Sequence, residues 1–174
     1  VTLSYDVLDG QGGGVAATGN AALDRARTER LLLWDDDLDP DPAGIARLRA
    51  FLVARPDLAF ATGLRRGLAG RRPREGGRDR ALTRLNSARV ATPEMMMRPA
   101  RFRALGLRFD PRFGLGAEHP LGDEYVLIAD ALRAGLRGRR LPVALGTHPP
   151  HSSGDDWGAR ACAARAAVLA RVFG

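Results

Sequence analysis

Three consecutive carboxylates, Asp35-Asp36-Asp37, close an apolar run, Leu31-Leu32-Leu33-Trp34. Carboxylates this close repel one another, so either a positive group sits among them or at least one turns to water. A strand that ends abruptly in carboxylates can hold a divalent metal beside a phosphate. The same residues also suit a solvated acidic turn. A second acidic pair, Asp123 and Glu124, stands at the expected start of a helix. One carboxylate of such a pair can take a proton from a hydroxyl as general base. Acids are equally favoured in a first helical turn by the helix dipole alone. His148 and His151 lie three apart in a polar stretch. As neutral imidazoles they can join a metal site, or they simply face solvent.

Two further segments bear on phosphate chemistry. Arg65, Arg66, Arg71, Arg72, Arg74, Arg78 and Arg80 sit among glycines in residues 63–80, which reads as a mobile basic loop. Arginine suits bidentate recognition of a diphosphate, a lipid-linked acceptor or a membrane surface. Such a run is also commonly no more than a solvated loop. Residues 10–14 are glycine-rich and can offer backbone N–H groups to a phosphate. They lack the Walker-A spacing and its Lys, which argues against a P-loop NTPase.

The elements that must carry these residues can be read in outline. Residues 1–6 read as a short strand, and Asn20 as the N-cap of an Ala-rich helix running to Arg27. A buried strand over 30–34 ends at the triplet. Asp39-Pro40-Asp41-Pro42 is a turn whose Asp41 caps a helix with Pro42 in first position and Ile45, Leu48, Phe51 and Leu52 on one face. A strand follows over 58–62. Short helices are expected over 99–105 and 123–134, stopped by Gly106 and Gly135. A strand over 141–147, a polar loop over 148–157 and a helix over 159–173 complete the chain. Met95-Met96-Met97 reads as core or pocket wall, and Cys162 as a small core residue. Alternating strands and helices imply an α/β class with a mostly parallel sheet. In such sheets ligands bind beyond the carboxyl ends of strands, where the triplet lies.

Bulk properties set the frame. The 174 residues, 45% of them hydrophobic, suit one domain, 1–174, with a real core. No apolar run approaches the roughly 18 residues that cross a membrane. The first residues lack the basic flank and apolar stretch of a signal peptide. A single cysteine excludes an internal disulfide and suits a reducing cytoplasm. The net charge of +7 is carried wholly by Arg, with no Lys, and favours polyanionic partners. Aromatics amount to 6% and do not interleave with the Arg cluster, so nucleic acid is not an expected partner.

Several motifs resemble family-2 inverting glycosyltransferases of the GT-A fold. The Gly-rich loop, then Gly19-Asn20-Ala21-Ala22-Leu23 opening a helix, then the strand ending in Asp35-Asp36-Asp37, is similar to the family's central part with its D-x-D motif. Leu107-Arg108-Phe109-Asp110-Pro111-Arg112-Phe113-Gly114-Leu115-Gly116, after Met97-Arg98, resembles its FD-x-x-FG-x-G stretch. Gly122-Asp123-Glu124-Tyr125 resembles its acidic motif at a helix start. His148-Pro149-Pro150-His151-Ser152-Ser153-Gly154 resembles the H-P-x-x-S-S-G loop of one bacterial branch.

The resemblance implies a GT-A-like sheet flanked by helices. It implies a metal-assisted transfer of sugar, with inversion, from a UDP- or GDP-linked donor to a glycan or lipid-linked acceptor, at the cytoplasmic face and with peripheral membrane contact. It places Asp35 toward the donor's ribose, Asp36 at the variable middle position and Asn20 on the donor side. Asp37 is implied as ligand to Mn²⁺ or Mg²⁺, with His148 joining it; His151 falls at a variable position. Glu124 is implied as the base, and Asp123 as a helix cap or an acceptor-orienting group. Two departures stand out. The family's first βα unit, which holds the nucleotide base, has no counterpart before Val1, and Gly19 stands where the family has Arg. An alternative expectation follows from the first departure: a catalytically inactive remnant or partner-binding module of the same fold.

Overall fold

Two short aliphatic faces on opposite sides of a sheet organise the chain. The structure is a computed structural model and describes residues 13–66, 77–148 and 158–174. Its elements are α1 (Gly14–Arg25), β1 (Leu31–Leu32), β2 (Asp39–Pro40), α2 (Pro42–Val53), β3 (Phe60–Arg66), β4 (Arg80–Ala81), a 3-10 turn (Thr92–Glu94), β5 (Met95–Met97), α3 (Pro99–Ala104), α4 (Asp123–Arg133), β6 (Gly138–Thr147) and α5 (Ala159–Phe173). The strand expected over 1–6 lies outside the described residues.

The sheet order is β1-β5-β3-β6-β2, with β4 also pairing β6. This corrects the expectation of a mostly parallel sheet. Among the described pairings only β3 with β6 is parallel; β1 with β5, β5 with β3, β6 with β2 and β6 with β4 are antiparallel. The cause is β5. Met95-Met96-Met97 is a strand that slots between β1 and β3 and runs against both. The strands β1, β3 and β6 therefore share a direction, as crossover connections require, while the three short strands oppose them.

Strand alternation splits the core into two faces. Phe60, Met95 and Met97 point to one side and pack with Leu23 of α1, Phe102 of α3 and Leu127 and Ile128 of α4. Ala61, Met96, Val143 and Leu145 point to the other and pack with Ile45, Leu48 and Leu52 of α2. A third cluster joins Tyr125, Val126 and Ala129 of α4 to Val168 and Val172 of α5. Cys162 is exposed, not core. The buried stripe of α5 runs through Ala161, Ala164, Val168 and Val172, and Cys162 falls off it.

The cap on α2 forms as expected. Asp41 accepts a hydrogen bond from the Gly44 amide at 3.0 Å, with Pro42 in the first turn. Asp41 also accepts from Arg66 at 3.1 Å, and these contacts hold its carboxyl below the usual range. Asn20, by contrast, caps nothing. α1 starts at Gly14, so Asn20 is mid-helix. Arg65 and Arg66 belong to β3, not to a loop.

The contact of α2 with the sheet is tight enough to test. A Cβ on Gly44 would lie 1.8 Å from the Ala144 carbonyl oxygen. Gly44→Ala is expected to lower stability by about 1–3 kcal/mol through overpacking, read as a lower thermal midpoint. A wild-type midpoint would contradict the packing described.

Candidate active site

The acidic triplet sits on a turn that two anchors hold. The Leu38 amide donates to the Asp35 carbonyl at 3.3 Å, and the Trp34 indole donates to the Leu38 carbonyl at 3.2 Å. Leu38 is buried, while Asp35, Asp36 and Asp37 are exposed. Straight after the turn, β2 pairs with the end of β6, Asp39 opposite Thr147 and Pro40 opposite Gly146. That register brings the next residue, His148, back to the triplet. Its Nε2 lies 3.9 Å from Asp37 Oδ2. The imidazole side is buried and the carboxylate half-exposed, so the pair borders solvent.

The second acidic pair opens α4. Gly122 precedes it, Asp123 is buried and Glu124 is part-buried. The two carboxyls are close enough to share a hydrogen bond. Burial raises the Asp123 carboxyl above its ordinary range. Glu124 is raised well above its own, first by burial and then by the neighbouring Asp123. The loop before α4 lies against them. A Cβ on Gly114, whose φ is +102°, would lie 2.6 Å from the Val15 side chain and 3.0 Å from the Asp123 carboxyl. Only glycine combines that backbone with that approach. Val15 in turn donates its amide to the Leu115 carbonyl at 3.1 Å. The start of α1 thus lies beside the α4 acids.

The charge of Asp123 acts on Asp35, so the two acidic clusters lie within electrostatic reach of each other. Although Asp35 is accessible to solvent, the protein around its carboxyl and then the Asp37 charge raise that carboxyl, Asp123 adds to the rise, and Arg65 and His148 oppose it. Arg65 also opposes the rise at Glu124. So Arg65 bears on both groups of acids, although its sequence context reads as loop. Its Nε donates to Glu94 Oε1 at 3.1 Å, and both side chains are largely buried, 12% and 5% exposed. Sequence reasoning missed Glu94, and it set Arg65 in a mobile basic loop suited to a diphosphate where the structure has a strand. The one available signal was the continuation of the apolar run of residues 58–62 through Gly63 and Leu64 into Arg65.

Asn20 is placed next to the site but occupied elsewhere. Its side-chain oxygen accepts from the Phe109 amide at 2.8 Å, and its nitrogen donates to the Phe109 carbonyl at 3.0 Å. The amide pins α1 to residues 107–116. The neighbouring Gly19 faces the Phe109 ring, which a Cβ would meet at 2.7 Å. A larger side chain has no room there, which accounts for glycine at that position. His151 and Arg71, Arg72 and Arg74 lie outside the described residues.

The donor types of Asp37 and His148, a carboxylate and an imidazole, are ones that Mn²⁺ accepts. Mg²⁺ is commonly held by one or two carboxylates plus substrate phosphates and water. Among the described residues, no group of three or more His, Cys, Asp and Glu side chains is placed to hold a metal ion. The mutual repulsion of Asp35 and Asp37 is what a cation would relieve.

No protein-family model matches this chain and no curated protein does. Solved structures match it in fold. S. aureus TarS 1–349 in complex with UDP matches with a TM-score of 0.61 and 19% identity, over 79% of this chain and 40% of that one. The same protein in complex with UDP-GlcNAc matches at 0.61 and 15%, over 94% and 48%. A longer TarS structure matches at 0.61 and 19%, over 93% and 32%. This chain spans less than half the length of each. The chain therefore shares the fold of these TarS structures over the matched part.

The raised Glu124 carboxyl has a thermodynamic consequence. A carboxyl whose folded-state pKa lies above its unfolded one destabilises the fold as pH rises through that interval. Glu124→Gln removes the penalty. The variant is expected to melt above wild type at pH 7, with the gap closing as pH falls toward 4. A gap that does not narrow with falling pH would contradict a buried, coupled acid pair.

Proposed function

We propose that this chain carries the active site of an inverting, metal-assisted glycosyltransferase of family 2 that uses a nucleotide-diphosphate sugar. What supports the reading is that two acidic clusters lie within electrostatic reach of each other, on a fold shared with the TarS structures. The matched TarS structures hold UDP and UDP-GlcNAc, which supports a UDP-linked donor.

In this reading Glu124 takes the proton from the acceptor hydroxyl. The acceptor oxygen forms its bond to the anomeric carbon while the bond from that carbon to the diphosphate oxygen breaks, on the opposite face of the sugar. The raised pKa suits Glu124 to the role, because a base works best with a pKa near the operating pH. Asp123 shares the pair's proton and orients the carboxyl. Asp37 and His148 would hold Mn²⁺ or Mg²⁺, which supplies Lewis-acid stabilisation of the departing diphosphate. Asp35 faces the ribose, with Asp36 beside it at the donor end. Asn20 serves the donor side indirectly, by fixing α1 against residues 107–116. The acceptor is a glycan or a lipid-linked hydroxyl. Among the described residues no helix is long and apolar enough to cross a membrane.

The alternative is a catalytically inactive or partner-binding module of the same fold. Calorimetric titration with UDP and GDP, with and without Mn²⁺, separates the two. Catalysis expects metal-dependent binding that weakens at least about tenfold in Asp37→Ala. Glu124→Gln is expected to keep binding and lose about 10²–10⁴-fold in transfer. Full transfer by that variant would remove Glu124 as the base.

A further inference from the structure

Glu94 has no part in the chemistry above, yet it is a carboxylate only 4% exposed. Burying a charge is unfavourable unless it is paired and hydrogen-bonded. Both conditions are met. Oε1 accepts from Arg65 Nε at 3.1 Å, and Oε2 accepts from the Ala91 amide at 3.4 Å. Burial pushes the carboxyl up, and the charges of Arg65 and Arg140 oppose that rise without cancelling it.

Arg65 is bound at one point only. Among the described residues its terminal nitrogens make no hydrogen bond, and neither is sealed from solvent. A guanidinium gripped at Nε keeps its outer edge fixed in plane, and that edge is the fork that matches two oxygens of a phosphate. The charge of this fork reaches Asp35 and Glu124, one from each acidic cluster. An arginine among acids, held from behind by a different acid, keeps its fork from collapsing onto the nearest carboxylate.

We infer that Glu94 is a positioning residue: its buried carboxylate grips Arg65 at Nε and so presents the terminal guanidinium fork to the phosphate oxygens of a diphosphate-bearing ligand. The gripping contact stands on geometry alone; the naming of the ligand as a nucleotide diphosphate rests on the proposed function.

The test is calorimetric titration of inorganic pyrophosphate and of UDP, each with Mn²⁺, against wild type, Glu94→Gln, Arg65→Ala and the double variant. Glu94→Gln keeps a neutral acceptor and the side-chain shape, and a melting curve checks its fold. The expected result is a loss of about tenfold in pyrophosphate affinity in Glu94→Gln, a loss at least as large in Arg65→Ala, and no further loss in the double variant. Should Glu94→Gln fail to fold, Glu94→Asp, which withdraws the charge by one methylene, is expected to show the same non-additive loss. Wild-type affinity in the Glu94 variant, additive losses in the double variant, or no pyrophosphate binding by wild type would each overturn the inference. Coupled losses with pyrophosphate but no binding of UDP would instead count against the nucleotide-sugar reading and leave the Arg65–Glu94 clamp standing.

Discussion

Like charge confined in a small volume is the constraint on which this structure turns. Asp123 bears on Asp35 across the two acidic clusters, and Asp35 and Glu124 each carry a carboxyl raised by loss of solvation and by the charge of a neighbouring acid. A fold does not gather acids in this way for stability, since each added like charge raises the free energy of the next. The arrangement makes sense as a site that is completed by positive charge from outside, with Arg65 as the cation that the described chain itself supplies.

The scaffold holds this repulsive group in place from several directions. The register of β2 on β6 carries His148 to Asp37. The Trp34 and Leu38 contacts fix the turn that bears the triplet. The bare backbone at Gly114 lets residues 113–116 close over Asp123, and Asn20 ties α1 to the same segment. The three aliphatic clusters behind these contacts supply the favourable burial against which the acids are held. Charge sits near the ends of strands and at the start of α4, and apolar packing sits behind it.

Much of this was legible from local pattern. The cap at Asp41 and the acidic start of α4 are signals a few residues long, and each corresponds to an element at the expected place, whereas the buried strand expected over 30–34 is only Leu31–Leu32 and half-buried. What was not legible depends on partners distant in sequence. Met95-Met96-Met97 has no alternation of type to mark it as a strand, and its pairing with β1 and β3 sets the sheet's mixed direction. Arg65 reads as loop because its following neighbours are Arg and Gly, yet Glu94, 29 residues on, makes it part of the site. Asn20 reads as a cap because Asn favours caps, while its true partner is the backbone 89 residues away. Local preference was overruled in each case by a contact that only the folded chain creates.

The most direct test of the central claim, that these clusters form a single diphosphate site, is anomalous diffraction at the manganese edge from crystals grown with Mn²⁺ and UDP. The account expects one manganese peak within coordination distance of Asp37 and His148, with the diphosphate lying between the triplet and Arg65. UDP bound elsewhere on the chain, or a manganese peak remote from Asp37, would contradict it.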